Sequence, residues 1–474
     1  MEEVRPTPSE SLLVFSDVHL GSDLDDREGN APRRSSAVDR DLVALVAHYR
    51  KVPPKADRWH IVIAGDFIDF IGMTIAPSED EPLETELTEE ERAHGLGGAA
   101  DHARMKMRRV AGRHADVFAE LAAFVADGHA LTLVHGNHDI ELHWDVVQDD
   151  FRRALLAHAR TANPTIDDGA FLARIAFNPW FFWRDGVAFI EHGHQYDPFC
   201  ATEHVMAPLS IIDPRRIARG FCDILLRFVV RRTRGMTESG HEHAGLVHYL
   251  RFGAQLGLGG MIALGLRFAR AVRELFRLRA DSFTAAARAL RKEHDRRIAR
   301  FAKAKRIGIQ RLRRLLALQA PPITSSIRGI MASVLLDRIA LACLAMFAFV
   351  AIAFAGLLFH FTPLAALSVL PAWALGHLWL ARNRSVDPSV QLADRAAHLA
   401  KIFPAAFIVM GHTHIPQTVA AGDATYINVG SWAEHEDTDE RAARTHLVIH
   451  VTPSGAEAQF CRWGPKGPEQ LDDA

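Results

Sequence analysis

Five short motifs between residues 17 and 414 carry the side chains that bind metal ions in proteins. In chain order they are Asp17-Val18-His19, Gly65-Asp66-Phe67-Ile68-Asp69, Gly136-Asn137-His138-Asp139, His192-Gly193-His194 and Gly411-His412-Thr413-His414. Their carboxylates, imidazoles and single carboxamide form a mixed oxygen and nitrogen set that suits Mn, Fe or Zn. Two ions roughly 3.5–4 Å apart need one ligand that reaches both, and a carboxylate has two oxygens for this. The chemistry that this set predicts is hydrolysis of a phosphate ester or anhydride by metal-activated water.

Each motif follows a short, largely apolar run. These runs occupy residues 12–15, 61–64, 131–134, 187–190 and 407–410. Short apolar runs that end at glycine or a polar residue are typical of fully buried strands. Open α/β sheets place their ligands just past the carboxyl ends of such strands. The sequence therefore predicts an α/β fold that gathers the motifs at the ends of its strands.

Together, the five motifs resemble those of the calcineurin-like metallophosphoesterase superfamily. The resemblance covers roughly residues 10–200 and 400–465. It implies a four-layer α/β/β/α sandwich that binds two divalent metal ions, with Mn favoured over Fe and Zn. It also implies which side chains hold the ions: Asp66 would bridge them, the first ion would take Asp17, His19 and His414, and the second would take Asn137, His192 and His412.

The same resemblance gives two motif residues a part in catalysis instead of metal binding. His138 would contact the phosphate and protonate the leaving oxygen, and Asp69 would orient the His138 imidazole. His194 has three alternatives, since it would orient His192, touch the substrate or be a structural histidine. The chain is also distantly similar to UDP-2,3-diacylglucosamine hydrolases. That family has Arg in place of His138, Glu in place of Asp69 and a much shorter insertion.

The interval between His192 and His412 spans 412 − 192 = 220 residues, which is far more than a loop needs and predicts an insertion. Its first part is basic. Residues 213–316 contain 25 Arg or Lys and 8 Asp or Glu, a surplus of 25 − 8 = +17 in a chain of net charge −2. Basic helices suit anionic lipid surfaces or nucleic acid, and a solvated helical bundle is the third alternative. The aromatic residues there form no obvious stacking platform, so nucleic acid is not the expected partner.

The second part of the insertion predicts a transmembrane helical hairpin. Ile339–Leu358 and Leu364–Leu380 are uncharged stretches of 20 and 17 residues, joined by a short turn at 360–363. A span needs about 20 apolar residues. Because the last motif must reach the same site as the first, the chain between them must cross a membrane an even number of times. Arginines on both outer flanks put both ends in the cytoplasm. A buried hairpin in a soluble bundle is the alternative, and residues 252–266 are expected to be interfacial or buried.

These patterns divide the chain into four intervals: a metallophosphoesterase part at 10–206, a basic helical insertion at 207–334, the transmembrane hairpin at 335–384 and the second metallophosphoesterase part at 385–465. Four cysteines without C-x-x-C spacing fit a reducing compartment. The polar, acidic start of the chain is not a signal peptide. We therefore expect a cytoplasmic catalytic part anchored in the inner membrane.

The expected activity is hydrolysis of a phosphate ester or pyrophosphate at the membrane surface. A lipid-linked phosphate is the first candidate substrate, and soluble nucleotides or phosphoproteins are the alternative. A membrane scaffold with a decayed site is a third class, which the complete ligand set disfavours.

Three local expectations concern the rest of the chain. The turn signal at 184–186 predicts a hairpin between residues 171–177 and 187–191. Strands at 425–429, 445–451 and 457–461 are expected to close a second sheet. The acidic run at 78–91 is expected to be a solvated loop or helix start, with a lid over the site as the alternative.

Overall fold

The computed structural model of the protein has a mixed α/β fold with two mixed β-sheets, which confirms the fold class predicted from the strand-like runs. The described residues are 9–26, 36–78, 81–233, 255–281, 284–359, 363–382, 387–433, 444–452 and 455–471. Residues 360–362 of the predicted hairpin turn lie outside these ranges.

Twelve strands of the described chain form the two sheets. They are β1 (Glu10–Phe15), β2 (Arg58–Ala64), β3 (Ala130–Val134), β4 (Ile175–Asn178), β5 (Phe181–Arg184), β6 (Gly186–Glu191), β7 (Ala405–Met410), β8 (Gln417–Ala421), β9 (Ala424–Asn428), β10 (Thr445–Thr452), β11 (Gly455–Gly464) and β12 (Gly467–Gln470). The first sheet has the order β12-β11-β10-β1-β2-β3-β4 and the second β5-β6-β7-β9-β8. Strands β1 to β4 run parallel, as do β6, β7 and β9. Each sheet gains antiparallel strands at its edges.

The α-helices of the described chain are α1 (Ser36–Lys51), α2 (Glu89–His94), α3 (Ala100–Arg113), α4 (Ala115–Ala126), α5 (Asp145–Ala162), α6 (Asp168–Leu172), α7 (Phe221–Phe228), α8 (Gly257–Asp281), α9 (Ala285–Ala304), α10 (Ile309–Leu318), α11 (Ile327–Ser333), α12 (Leu336–Leu358), α13 (Val369–Arg382) and α14 (Pro388–Ile402). The described part of the predicted insertion is therefore largely helical.

A shared apolar core lies between the two sheets. Leu12 and Val62 of the first sheet are buried in one cluster with Ile190, Val409 and Ile427 of the second. Helices α1, α4 and α5 pack against the other face of the first sheet. Helices α10 and α14 do the same for the second sheet. Strands covered on both faces read as continuous apolar runs, which is why these strands were visible in the sequence.

Two predicted strand arrangements are wrong. The turn at 184–186 joins β5 to β6, whereas Ile175–Asn178 forms β4 and pairs with β3 in the other sheet. Strands β10 and β11 join the first sheet beside β1 instead of closing the second. A turn signal shows that the chain reverses direction at that point, but it does not show which two strands pair. The partner is decided by packing, and Phe181 of β5 stacks on Phe189 and packs against Phe403 in the core of the second sheet.

The helix α12 is exposed and apolar. It has 23 residues, and its most apolar 18-residue window has a mean hydropathy of 2.6 and is 6% buried. In the described chain it is the one helix long and apolar enough to cross a membrane, judged by length and composition alone. The second predicted span is a shorter apolar helix, Ala365–Leu380. It packs closely against α12, since a Cβ on Gly376 would lie 3.1 Å from Leu341 Cδ2. These helices are not buried in a bundle, because Leu344 and Phe347 are 64% and 72% exposed.

The basic insertion is attached to the first part of the chain by arginines. Glu90 binds both Arg219 and Arg227, and the Arg227 Nε to Glu90 Oε1 distance is 2.9 Å. Glu91, which is 1% exposed, binds Arg216. Burial raises the pKa of Glu90, but the two guanidinium groups outweigh it and lower that pKa to about 2. Helix α2 begins at Glu89, which confirms the expected helix start, but the expectation that the acidic run is solvated is wrong at Glu90 and Glu91. The carboxylates of Glu90 and Glu91 form ion pairs with arginines of the insertion.

Replacing Glu90 with Gln is expected to lower the free energy of unfolding by on the order of 3 kcal/mol at neutral pH, because Arg219 and Arg227 would lose a buried partner. The pKa of Glu90 is lower in the folded state than its ordinary value of 4.5. The stabilisation should thus be present above pH 4.5 and be lost as the pH falls toward about 2. Urea unfolding at a series of pH values measures both effects. Glu89→Gln at an exposed neighbour is the control, and equal stabilities of the two variants would contradict the ion-pair account.

Candidate metal centre

The five motifs meet at the carboxyl ends of β1, β2, β3, β6 and β7, as the strand-like runs predicted. Four groups of three potential ligands are found among the described residues. Asp17, His19 and His414 make the first group, and Asp17, Asp66 and His192 make the second. The third is His19, Asp69 and His138, and the fourth is Asp197, Cys200 and His412. Within each group the ligand atoms lie within 4.8 Å of one another, and the first two groups share the Asp17 carboxylate.

The backbone is strained at this convergence. Eight residues other than glycine have a positive φ in the described chain, and five of them are predicted ligands: Asp17 (54°), His19 (51°), Asp66 (52°), His412 (71°) and His414 (60°). Such conformations cost about 1–3 kcal/mol each and persist where the surroundings fix them. Here Val18 N and His19 N both donate to Asp66 O, at 2.9 and 3.0 Å. These backbone conformations direct the side chains of the five predicted ligands toward one site.

Asp66 belongs to the second group and also faces His19 of the first group. Its Oδ2 is 3.1 Å from His192 Nε2 and 3.8 Å from His19 Nε2, while its Oδ1 accepts the backbone N–H of His138 at 2.8 Å. Burial raises the pKa of Asp66, but His192 and His138 outweigh burial and hold it well below its usual range. One carboxylate oxygen thus faces ligands of both groups, which is the position that a bridging ligand requires.

Asp17 supplies the clearest fit for a cation. Its carboxyl is fully buried, and Oδ1 makes no hydrogen bond with any of the described residues. The same oxygen lies 3.1 Å from His414 Nε2 and 3.8 Å from His19 Nε2. Its other oxygen accepts from Ser16 Oγ and, at 3.1 Å, from the backbone of His412. A buried oxygen that faces two imidazole nitrogens without a hydrogen bond is an arrangement that a metal ion would complete.

Two predicted ligands of the second ion, Asn137 and His192, lie together beside Asp66, whereas the third, His412, falls in the group with Asp197 and Cys200. His192 Nδ1 donates to the carbonyl of Ala64 at 2.9 Å, which leaves Nε2 facing Asn137 Oδ1 and Asp66 Oδ2, each at 3.1 Å. This backbone bond fixes the ring as metal-binding histidines are usually fixed. Burial lowers the pKa of His192, yet the Asp66 and Asp17 carboxylates raise it to about 9.

Asp197 has a position that its place in the sequence did not reveal. It is 1% exposed, and its Oδ2 lies 3.0 Å from His412 Nε2. A carboxylate that accepts from one ring nitrogen leaves the other, Nδ1, as a potential metal ligand. Cys200 also belongs to this cluster, with its thiol within 4.8 Å of the ligand atoms of Asp197 and His412.

The predicted catalytic pair is assembled beside these groups. His138 Nδ1 bonds to Asp69 Oδ1 at 2.8 Å, and the same oxygen accepts the backbone N–H of Gly72 at 2.7 Å. The rings of His138 and His19 lie edge to face with centroids 4.6 Å apart. Asp69 is fully buried, and although burial raises its pKa, His138 holds that pKa well below its usual range. The pair is therefore an ordered hydrogen-bonded unit at the edge of the ligand groups.

Two other motif residues make contacts outside the ligand groups. His194 accepts from Gln195 Nε2 at 2.9 Å and belongs to none of the ligand groups found in the described chain. Asp139 accepts the backbone N–H groups of Gly136 at 2.6 Å and Phe67 at 2.9 Å, so it ties two motif loops together. Burial and the Asp66 charge raise the pKa of Asp139 to about 7.

One further contact, between two cysteines, could not be predicted from the sequence. Cys200 Sγ and Cys222 Sγ lie 3.0 Å apart, which joins the loop after His194 to the first turn of α7. Twenty-two residues separate the two thiols, without a spacing that would have predicted their contact.

Comparison with known proteins assigns no function to this chain, so the geometry of the site is the basis for the assignment. No protein-family model matches the sequence, and no curated protein matches it. What the site can do is therefore argued from its own atoms.

Gly136→Ala is expected to destabilise the protein by about 1–3 kcal/mol, because the new Cβ would overlap the carboxylate and backbone nitrogen of Asp66. Thermal unfolding measures the effect. Gly112→Ala is the matched control, since this glycine is exposed in α3 with no atom near its Cβ position, and alanine there should stabilise the helix slightly. A Gly136→Ala protein at least as stable as the wild type would contradict the close approach.

Proposed function

We propose that this protein is a dimetal-dependent phosphoesterase that hydrolyses a phosphate ester or pyrophosphate at a membrane surface. The observation that carries the proposal is the position of Asp66 Oδ2, which faces His192 at 3.1 Å on one side and His19 at 3.8 Å on the other. A carboxylate between two clusters of imidazole and carboxylate ligands is suited to bridge two ions.

The proposal includes the finer architecture, a four-layer α/β/β/α sandwich with an inserted helical hairpin. The shared core between the two sheets supports the two inner layers. The helices packed on the outer face of each sheet support the two outer layers. In this arrangement all five motif-bearing strands end on the same side of the molecule.

Asp17, His19 and His414 would hold the first ion, and Asn137, His192 and His412 the second, with Asp66 between them. The donor set fits Mn, Fe or Zn because it mixes carboxylate, amide and imidazole groups. Two divalent ions bound there would supply an activated water and offset the negative charge of the phosphate. The buried Asp17 Oδ1, which lacks a hydrogen bond in the described chain, supports this fit.

His138 and Asp69 would handle the proton that the leaving group needs. Asp69 Oδ1 holds His138 Nδ1 at 2.8 Å, so the opposite nitrogen, Nε2, is the one that can donate. His138 retains partial exposure, with 19% of its side chain accessible, whereas Asp69 is fully buried. The exposed member can therefore contact a substrate and the buried member can only orient it. Protonating the leaving oxygen is worth about 10²–10⁴-fold in rate.

Membrane attachment is supported by the exposed apolar surface of the insertion. The helix α12 carries exposed Phe347 and Leu344, and the start of α8 exposes Leu258, Ile262 and Leu266 by 57–74%. The opposite side of α8 packs in one cluster with α7, α11 and the first turn of α12. The described residues 255–266 therefore fit the interfacial alternative better than the buried one, and residues 252–254 of that prediction lie outside the described residues. With both ends of an α12–α13 hairpin in the cytoplasm, the catalytic part faces the inner surface of the membrane.

Asp66→Ala and Asn137→Ala are expected to abolish phosphate release while leaving membrane association unchanged, because both side chains would hold metal and neither contacts the apolar helices. Metal analysis of the purified proteins should give two ions per wild-type chain and fewer in each variant. Asn163→Ala, at an exposed position outside the site, is the control and should match the wild type. Normal turnover by either site variant would defeat the metal assignment.

Phe347→Arg is expected to reduce the fraction of the protein that stays in alkali-washed membranes, since an arginine near the centre of a span costs about 2.5–3.5 kcal/mol. Val146→Arg is the matched control, because Val146 is an apolar residue on α5 that is 42% exposed, away from the insertion. If both variants and the wild type are recovered equally in the soluble fraction, the protein is not anchored by α12.

Substrate class is tested by phosphate release from detergent-solubilised protein with added Mn. The panel consists of lipid phosphates, lipid-linked pyrophosphates, soluble nucleotides and a phosphopeptide. We expect selective turnover of a lipid-linked substrate. Turnover of the soluble compounds alone would reduce the hairpin to an anchor, and no release from any of them would contradict the proposed activity.

A further inference from the structure

The basic insertion places one arginine against the His138–Asp69 pair. Arg231 lies in the short 3₁₀ segment Val230–Arg232 after α7, and it is 5% exposed. Its Nη2 is 3.7 Å from Asp69 Oδ2, and its Nη1 donates to the carbonyl of Ser22 at 3.0 Å. Arg231 belongs to the basic interval 213–316, for which the sequence predicts an anionic lipid surface, nucleic acid or a solvated bundle. Its side chain instead points into the protein.

Asp69 uses its two oxygens for different contacts. Oδ1 accepts from His138 Nδ1 at 2.8 Å and from Gly72 N at 2.7 Å, whereas Oδ2 faces Arg231. A carboxylate held through one oxygen alone keeps some freedom to rotate about its Cβ–Cγ bond. A cation facing the second oxygen fixes the plane of the group and, through it, the orientation of the histidine ring.

Gly72 keeps the space in which this contact forms. A Cβ on Gly72 would overlap both Asp69 Oδ2 and Arg231 Nη2. The backbone of Gly72 is outside the left-handed region, so its conformation does not require glycine. The absence of a side chain is therefore explained by the approach of Arg231 to Asp69.

The segment that carries Arg231 is anchored on both sides. Arg227 donates to the carbonyls of Gly95 and Leu96, at 3.1 and 3.3 Å. Arg232 Nε donates to His94 Nδ1 at 3.1 Å. These bonds fix the end of α7 against the turn after α2, and they hold Arg231 in a defined place. The contacts that dock the insertion therefore also hold Arg231 beside Asp69.

We propose that Arg231 is a positioning residue that aligns the Asp69–His138 pair, so that the inserted helices complete the group that protonates the leaving oxygen. The inference rests on the proposed phosphoesterase function and deepens it. Arg231 acts through Asp69 and does not reach the substrate. Its loss should therefore affect esters whose leaving group needs a proton and largely spare those whose leaving group departs as a stable anion.

The test compares phenyl and p-nitrophenyl phosphate esters with Mn-loaded, full-length protein. Arg231→Met should lower kcat for the phenyl ester by about 10-fold and for the p-nitrophenyl ester by much less, with KM and metal content unchanged. Gly72→Ala should reproduce this pattern with the arginine still present, because its Cβ would force Asp69 and Arg231 apart. Arg231→Lys keeps the charge and should recover part of the loss. Should Arg231→Met fail to fold, Arg231→Lys and Gly72→Ala carry the same comparison.

Arg215→Met is the control, since the side chain of this arginine of the insertion is 67% exposed and bonds to Asp213 in its own segment, so the ratio of the two esters should be unchanged. Equal losses on both esters, or wild-type ratios in both the Gly72 and Arg231 variants, would overturn the positioning role alone. Wild-type protein that hydrolyses neither ester, nor any member of the substrate panel, would overturn the proposed function and this inference with it.

Discussion

The burial of Asp17 and Asp66 side by side is the constraint on which the rest of the structure depends. Two carboxylates that are at most 1% exposed cannot remain charged together unless positive groups surround them. The chain meets this need with histidines contributed by β1, β6 and β7, whose carboxyl ends must therefore lie on one side of two packed sheets. Five strained ligand conformations follow, because the loops after these strands have to turn inward within one or two residues.

The insertion then becomes part of the same electrostatic arrangement. Its arginines would repel one another if they were free, but Arg219 and Arg227 converge on Glu90, and Arg231 faces Asp69. The sequence suggested an external anion for these arginines. In this region they are instead paired with carboxylates of the same chain. The apolar surface that remains exposed is concentrated on α12, α13 and the start of α8, which is where a bilayer would cover it.

Much of the site could be predicted because each motif can be recognised from the residues next to it in the chain. Each motif directly follows an apolar run, so Asp17, Asp66 and His192 could be placed at strand ends before any contact was known. Strand partners were less accessible, since a turn at 184–186 does not say which sheet its strands join, and β4 was assigned to the wrong partner. Asp197, Glu90 and Arg231 have roles that depend on contacts between distant segments, and no spacing in the sequence encodes those contacts.

We propose that two ions bind on either side of Asp66. Anomalous diffraction from crystals grown with Mn tests this most directly, because it locates each ion without relying on activity. We expect two peaks roughly 3.5–4 Å apart, with Asp66 between them, one beside Asp17, His19 and His414 and the other beside Asn137, His192 and His412. A single peak, or peaks that do not contact Asp66, would contradict it.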